Sequence, residues 1–237
     1  MQVFGQTHIG NVRSNNEDSF AIETALNTVI VADGMGGASC GEVASAITVE
    51  SVLAYLAAPT ETLDTTDRLR EAIRSANRDV WETAKHRTEC NGMGSTIVLA
   101  HWNEQQIWIQ NSGDSRAYRF RGGGLQQLSY DQNVGNELRH SLGLTDEQVN
   151  RYPQRNVLTM AVGVGDEISV RCYDEAMEAN DLYLLCSDGL YGPVSEEEVA
   201  AILRKPLDLP AMAAELINIS NHHGGPDNIT VALLRNA

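Results

Sequence analysis

The chain has 237 residues, 42% of them hydrophobic and 21% charged, which is enough for one substantial core, so we expect a single domain over residues 1–237. Its formal net charge of −15 would repel a polyphosphate backbone, and nucleic acid is therefore not expected as a partner. The sequence has neither a run of about 18 apolar residues nor a basic segment followed by an apolar stretch, so we predict no membrane span, no signal peptide and a cytoplasmic protein.

The first predicted elements are two strands and two long helices. The residue pattern predicts an edge strand over residues 3–9 and a buried strand over residues 28–32, which ends at Asp33. Apolar residues recur near helical spacing over residues 41–57 and predict a helix that faces the core. An apolar stripe with charged residues opposite it predicts a second helix over residues 67–87.

The spacing of the apolar residues changes after the second helix. Short β-rich segments at residues 95–100, 106–110 and 115–120 are separated by turn residues and predict an antiparallel meander. The three glycines at residues 122–124 predict a tight hairpin. The segment from 130 to 155 is polar and weakly periodic, and we interpret it as an irregular or partly helical insertion over the surface.

Regular structure resumes in the last quarter of the chain. The pattern predicts a strand over residues 181–186 that leads to Asp188, and helices over residues 195–203 and 209–220. A closing strand is predicted over residues 228–234. Helices, then strands, then helices imply a layered α/β sandwich with antiparallel sheets.

The four cysteines stand alone in the sequence, at Cys40, Cys90, Cys172 and Cys186. No Cys-x-x-Cys spacing links them, which favours buried thiols over a zinc site or a disulfide framework. We expect none of them to take part in the chemistry.

Acidic turns follow or touch the predicted strands at Asp33, Asp188 and Asp227, and a further one lies at Asp114. A carboxylate at the mouth of a strand is held rigidly yet faces open space, where hard divalent cations find oxygen ligands. Gly34, directly after Asp33, can take a positive φ and lets the backbone approach a ligand closely. An isolated Asp-Gly is more often only a turn, but several such carboxylates together predict a polynuclear Mg²⁺ or Mn²⁺ centre.

A series of short motifs, each modest alone, is highly specific in its order: Arg13-Ser14-Asn15-Asn16-Glu17-Asp18, Asp33 to Gly37, Gly92-Met93-Gly94-Ser95-Thr96, Gly113-Asp114-Ser115-Arg116-Ala117-Tyr118, Gln154-Arg155-Asn156-Val157-Leu158-Thr159, Ser187-Asp188-Gly189-Leu190 and Pro226-Asp227-Asn228-Ile229-Thr230. Across nearly the whole chain this series resembles the metal-dependent protein serine/threonine phosphatases of the phosphatase 2C type, and in particular single-domain bacterial members. The resemblance implies an α+β fold, a four-layer α-β-β-α sandwich with two central antiparallel sheets flanked by helices.

The resemblance also implies a set of metal ligands. Asp33 would bridge two Mn²⁺ or Mg²⁺ ions, and Gly34 would offer its carbonyl oxygen to the pair. Asp188 and Asp227 would complete the coordination of one of the two ions, with water in the remaining positions. Asp114 matches the residue that, together with Asp188, holds a possible third and weaker ion. Alternatively, Asp114 has only a structural role and ends a turn between two strands.

Two further residues and one segment are implied to serve the same centre. Arg13 would grip the substrate phosphate with its planar fork of donors, although a loop arginine is by default a solvated cation. Asp18 would lie behind the ligands and orient metal-bound water. Alternatively, Asp18 and Glu17 form a surface acidic pair. The insertion at about residues 131–155 matches a flap that shapes substrate access.

The implied reaction is Mg²⁺- or Mn²⁺-dependent hydrolysis of phosphoserine and phosphothreonine monoesters in proteins, by attack of a metal-bridging hydroxide on phosphorus. The implied partners are phosphoproteins, including serine/threonine kinases and their substrates in signalling, and we expect a monomer. A regulatory module that binds phosphoprotein or kinase, and a phosphatase for small phosphomonoesters, remain as alternatives.

The chain departs from the family pattern at two places. Many members carry a histidine, proposed to protonate the leaving oxygen, where this chain has Met35 and Ala38, so the general acid is open. Met160 stands where bacterial relatives often have arginine, so that substrate contact or flap docking differs there.

Overall fold

Two antiparallel sheets form the centre of the part of the chain that the computed structural model describes, residues 1–36, 40–59 and 63–236. Side chains alternate along the buried strands, so one face of a strand points to the other sheet and the opposite face to helices. Tyr183 and Leu185 pack between the sheets, whereas Leu184 packs against helices. Val31 and Ile30 divide in the same way in the other sheet. These layers confirm the predicted α-β-β-α sandwich.

The strand order defines each sheet. The first sheet runs in the order β1 (Gln2–His8), β11 (Ile229–Arg235), β10 (Leu182–Cys186), β7 (Arg116–Arg121) and β8 (Gly124–Gln127). The second runs in the order β2 (Asp18–Glu23), β3 (Thr28–Met35), β5 (Ile97–Trp102), β6 (Gln106–Ser112) and β9 (Arg171–Ala176). The short strand β4 (Gly94–Ser95) pairs with the end of β3.

Helices cover the outer face of each sheet. On the second sheet lie α1 (Gly41–Ala57) and α2 (Thr65–His86), and on the first lie α6 (Glu196–Leu203) and α7 (Leu209–His222). The insertion contains α3 (Val134–Leu142) and α4 (Asp146–Asn150), which confirms that it is partly helical. The short α5 (Asp188–Tyr191) follows β10. No helix among the residues described is long and apolar enough to cross a membrane.

Side-chain caps explain where several helices begin. The carboxylate of Asp64 accepts a hydrogen bond from the Asp67 backbone N–H at 2.8 Å, so α2 starts earlier than residue 67. The Ser195 hydroxyl and the Glu198 side chain form a reciprocal capping box at the start of α6. Such caps fix the entry of the chain into each helix.

The predicted meander is wrong in its third strand. β5 and β6 pair as expected, but β7 pairs with β10 in the other sheet, and β6 pairs instead with β9. The sequence pattern did not reveal β9 because its residues are mostly exposed and polar at the edge of the sheet. Strand β2, which begins with Asp18, was also not predicted.

The prediction that all four cysteines are buried thiols is wrong. Cys40 and Cys90 form a disulfide bond, and Cys172 is an exposed thiol, so that only Cys186 is a buried free thiol. The fold brings the start of α1 beside the turn before β4, with the Cα atoms of Cys40 and Cys90 5.4 Å apart, within the range that a disulfide spans. A separation of 50 residues leaves no local spacing from which this pairing could be predicted.

Candidate metal centre

The predicted site residues meet in a cleft of about 450 Å³ where the ends of several strands converge. Arg13, Asp33, Gly34, Asp114, Asp188 and Asp227 line this cleft. Asp18 is not part of the lining and lies behind it, with only 8% of its surface exposed, which excludes a surface acidic pair with Glu17. Residues of the lining that were not predicted include Thr96, Asn156 and Asn228.

Strand pairing places two of these carboxylates side by side. Asp18 of β2 and Asp33 of β3 are direct cross-strand partners, so their side chains leave the sheet on the same face. The Asp33 backbone is held by Thr96, which lies between β4 and β5. The Asp33 N–H donates to the Thr96 Oγ1 at 3.0 Å, and the Asp33 carbonyl accepts from the Thr96 N–H at 2.8 Å. The position of Asp33 is therefore set by the sheet.

Only glycine fits at position 34, because the backbone of other segments approaches it closely. A Cβ at this position would lie 2.0 Å from the carbonyl oxygen of Gly41 and 2.6 Å from that of Glu17. Its φ is outside the positive region, so the expectation that Gly34 uses left-handed freedom is wrong. The glycine instead lets the start of α1 pack against the end of β3.

The remaining ligand candidates come from the other sheet. Asp188 is the first residue of α5, directly after β10, and its Oδ1 is buried without a hydrogen-bond partner among the described residues. Asp227 precedes β11, and its Oδ1 accepts from the Asn228 N–H at 2.8 Å. The cleft thus draws its carboxylates from both sheets.

Asp18 is fixed by hydroxyl groups from the opposite sheet. Its Oδ2 accepts hydrogen bonds from the Ser187 Oγ at 2.8 Å and the Thr230 Oγ1 at 2.6 Å. Its Oδ1 is buried and has no partner within the described ranges. The carboxylate therefore connects β2 with the ends of β10 and β11 and keeps one oxygen available.

The buried carboxylates perturb one another. Burial, and next the charges of other carboxylates, raise the pKa of Asp18 and Asp188 to about 6. Burial and the charge of Asp188 raise the pKa of Asp114 to about 7. The pKa of Asp33 is also raised well above its ordinary value, chiefly by burial and then by the charge of Asp18. Carboxylates buried this close together repel one another, so bound protons or cations are needed to neutralise their charge.

The residues fit hard divalent cations. The donors are carboxylate oxygens, and the buried Oδ1 atoms of Asp18 and Asp188 have hydrogen-bonding capacity that no described residue satisfies. Within residues 1–36, 40–59 and 63–236, no three His, Cys, Asp or Glu side chains form a ready-made cage for one ion. That is consistent with a centre in which a backbone carbonyl and water supply part of each coordination sphere.

Arg13 lies at the rim of the cleft with 49% of its side chain exposed. Its Nη2 donates to the Asp227 Oδ2 at 2.6 Å, and this hydrogen bond is the main reason that the pKa of the guanidinium is raised. Arg13 is therefore not a freely solvated cation, and it is directly linked to a ligand candidate.

Asp114 is held by residues that the sequence did not single out. The Asn133 Nδ2 donates to its Oδ2 at 3.1 Å, and the Tyr191 hydroxyl donates to its backbone carbonyl at 2.9 Å. Asn133 stands at the start of the insertion, so the insertion touches the candidate third-ion site directly. No local motif could have revealed these contacts, because they join distant parts of the chain.

The residues at which the chain departs from the family pattern can be located relative to the cleft. Met35 lines the cleft, and no histidine is among its described lining residues. Ala38 lies outside the residues that the structure describes. Met160 lines a neighbouring, largely apolar cavity of about 230 Å³ together with Met35 and Leu158. An apolar surface therefore adjoins the cleft where an arginine was the family expectation.

Comparisons with known proteins agree with this geometry. A family model for protein phosphatase 2C matches residues 4–230. The chain is 36% identical over 236 residues to the serine/threonine phosphatase stp of Listeria monocytogenes, covering 97% of this chain and 93% of the relative. The structure of Stp1 from Staphylococcus aureus, a serine/threonine phosphatase, matches with a TM-score of 0.91 at 28% identity, over 100% of this chain and 94% of that one. The catalytic domain of the phosphatase PstP in complex with two manganese ions matches with a TM-score of 0.86 at 31% identity, over 98% and 96% of the two chains.

Proposed function

Because the chain belongs to the protein phosphatase 2C family, a family of metal-dependent serine/threonine phosphatases, we propose that it hydrolyses phosphoserine and phosphothreonine monoesters in proteins with Mn²⁺ or Mg²⁺. The membership confirms the family predicted from the motifs. The observation that carries the proposal is the convergence of Asp33, Asp114, Asp188, Asp227 and Arg13 on one cleft. We further propose that residues 1–237 act as one domain with a flap at about 131–155.

The proposed metal roles follow the sequence prediction. Asp33 would bridge two cations, and Gly34 would contribute its carbonyl oxygen. Asp188 and Asp227 would complete the coordination of one of the two. Asp114, with Asp188, would hold a third. Two features support these assignments, since both call for a positive charge nearby: the buried Oδ1 of Asp188, which has no hydrogen-bond partner in the described part of the chain, and the raised pKa of Asp114.

The protein's own residues would orient the phosphate. Two bound cations would supply the nucleophile and neutralise the phosphate, because together they lower the pKa of a shared water. Arg13 would hold phosphate oxygens through its planar guanidinium, which suits such oxygens in pairs. To do so it has to share or exchange the carboxylate of Asp227 that it contacts at 2.6 Å. Asp18 would keep the strand ends in register and order water with its Oδ1, which has no hydrogen-bond partner among the described residues.

The alternatives from the sequence are less well supported. A regulatory module that only binds phosphoproteins would not need every carboxylate in the cleft. A phosphatase for small phosphomonoesters is disfavoured because relatives of nearly the same length are named serine/threonine phosphatases. We propose that the partners are serine/threonine kinases and their substrates, and that the chain acts as a monomer in signalling.

A cytoplasmic location is part of the proposal, and the disulfide offers a test of it. Disulfides persist in oxidising compartments and are rare in the cytosol. Mass spectrometry of chains alkylated directly in cells would report the state of Cys40 and Cys90. Reduced thiols are expected in the cytoplasm, and complete oxidation would contradict that location.

The experiment that tests the function measures phosphate release from a phosphothreonine peptide with Mn²⁺, Mg²⁺ or chelator. We expect release only with metal, and a loss of at least about a hundredfold in Asp33→Ala, because a main contributor to transition-state electrostatics is removed. Asp79→Ala, on the exposed face of α2, is the matched control and should retain activity. Peptide binding without release by the wild type would favour the regulatory module.

A further inference from the structure

A second cavity, of about 260 Å³, lies beneath the helical insertion and adjoins the cleft. The two cavities share Asp114, Asn156 and Asp188 in their walls. Polar and charged side chains make up most of the lining of the second cavity. Its cationic members are Arg116, Arg139 and Arg155, and its acidic members are Asp131 and the two shared carboxylates. In a chain with a formal net charge of −15, arginines gathered beside an acidic centre require a reason.

Arg116 is fully engaged and serves the structure. Its guanidinium grips the carboxylate of Asp131 from Nε and Nη2, with the shortest contact at 2.6 Å, and donates from Nη1 to the Tyr118 hydroxyl at 2.8 Å. It also stacks on the ring of Tyr191 at 3.8 Å. Its charge is matched by Asp131, and the pair anchors the start of the insertion.

The other two arginines are not satisfied in this way. Arg139 uses its Nε to donate to the Asp146 Oδ1 at 2.7 Å, while Nη1 and Nη2 have no partner within the described part of the chain. The guanidinium of Arg155 makes no hydrogen bond or ion pair with any described residue, although it lines the cavity. Arg155 thus brings five N–H donors to the cavity lining and Arg139 a further four, and each carries a permanent positive charge.

We propose that this cavity binds a second phosphoryl group of the substrate, beside the one that is hydrolysed, so that the preferred substrates are protein segments phosphorylated twice within a few residues. The inference rests on the proposed phosphatase function. The planar fork of an arginine matches pairs of phosphate oxygens, which makes Arg155 the main ligand and Arg139 the second. Both belong to the insertion.

The positions of the two cavities agree with one peptide occupying both. An extended chain advances about 3.3–3.6 Å per residue, so groups one to three residues apart can reach two cavities that share a wall. The acidic surface would repel a doubly phosphorylated segment elsewhere. Arg139 and Arg155, which have N–H groups without a partner among the described residues, would offset that repulsion locally. The cavity therefore selects among phosphopeptides that the cleft alone would not distinguish.

The test compares three peptides with Mn²⁺ present, all with one hydrolysable phosphothreonine. The first has neutral flanking residues, the second has a non-hydrolysable phosphonate two residues away, and the third has glutamate there. For the wild type we expect kcat/KM for the phosphonate peptide to exceed that for the neutral peptide roughly tenfold, as for a hydrogen bond to a charged group. Glutamate should give a smaller gain.

Two variants locate the effect. Arg155→Gln should bring the ratio of kcat/KM between the phosphonate and neutral peptides close to one. Arg151→Gln is the matched control, because Arg151 lies in the same insertion, is exposed, pairs with Glu147 and lines neither cavity. It should keep the wild-type ratio. Thermal unfolding of both variants checks that the fold is intact.

A binding measurement gives a readout independent of turnover. Fluorescence anisotropy with peptides that carry phosphonates in place of every phosphate should show roughly tenfold tighter binding for the doubly substituted peptide, and Arg155→Gln should remove that difference. Equal wild-type kcat/KM for the neutral and phosphonate peptides would overturn the proposal. The proposal would also be overturned if Arg155→Gln lowered kcat/KM by the same factor for the neutral and phosphonate peptides. The same holds if Arg151→Gln lost the wild-type preference for the phosphonate peptide. Absence of phosphate release from every peptide would instead contradict the proposed function itself.

Discussion

At the scale of single residues, the cleft is defined by carboxylates that are buried close together. Burial, with the neighbouring negative charges, raises the pKa of Asp18 and Asp188 to about 6 and that of Asp114 to about 7. Such carboxylates are stable in the folded chain when they bind either protons or cations. In the proposed metal centre, protons and metal ions would therefore compete for the same oxygens.

This competition predicts an unusual pH dependence of stability in chelator. A carboxylate whose pKa is raised in the fold stabilises the fold while it is protonated. That contribution is complete below the ordinary pKa of 3.8 and is lost as the pH rises through about 6 to 7. We therefore expect Tm in chelator to fall over this range, and Mn²⁺ to restore it at neutral pH. Asp18→Asn should flatten the profile, and an unchanged profile in that variant would contradict the assignment.

Gly34 provides a prediction that depends on sterics alone. A methyl group there would meet backbone atoms at 2.0 Å and 2.6 Å, which cannot move aside as a flexible side chain can. Gly34→Ala should lower the free energy of unfolding by about 3 kcal/mol or more. In Gly36→Ala, the matched control, the nearest atoms would lie 3.4 Å away, so the cost should be small. Urea unfolding measures both, and equal stabilities would show that the close approach is not rigid.

At the scale of elements, the disulfide joins the start of α1 to the turn before β4. It closes a loop between residues 50 positions apart, and this lowers the conformational entropy of the unfolded chain. Reduction, or Cys90→Ser, should lower the free energy of unfolding by up to about 4 kcal/mol. Cys172→Ser, which removes an exposed thiol, is the control and should have no such effect. Denaturant curves that coincide with and without reductant would contradict this role.

The elements differ in how well the sequence predicted them. The helix over residues 41–57 was predicted with its observed bounds, because its mostly apolar sequence lies between a glycine-rich turn and a proline. Strands β2 and β9 were missed because their partly exposed residues lack a continuous apolar run. The pairing of β7 with β10 was missed because the choice of sheet depends on contacts between distant segments.

At the scale of the whole molecule, the site shows the same division. Asp33, Asp188 and Asp227 could be predicted because each lies in a local motif at the end of a strand, and the fold does bring them to one cleft. Asn133 and Arg155 could not be assigned to their contacts or cavities, since the folding of the insertion onto the sheets decides what they approach. The disulfide could not be predicted for the same reason, since it joins two distant segments of the chain. Residues in local motifs could be predicted from the sequence, whereas contacts between distant segments could not.

The net charge of −15 belongs to this scale as well. It opposes the approach of a phosphorylated substrate. The cations proposed for the cleft would reverse the potential locally, together with the arginines beside it whose N–H groups have no partner among the described residues. A metal centre built on carboxylates from both sheets would also bind the two halves of the sandwich together. Function and stability would then depend on the same ions.

The most direct test of the metal centre is anomalous diffraction near the manganese absorption edge, from crystals grown with Mn²⁺. The account predicts two strong peaks in the cleft among Asp33, Asp188 and Asp227, roughly 3.5–4 Å apart as in other two-metal hydrolases, with a weaker third near Asp114. Crystals of Asp33→Asn should lack the pair. Peaks confined to other surfaces of the wild type, or none at all, would contradict the central claim that these strand ends form a metal centre.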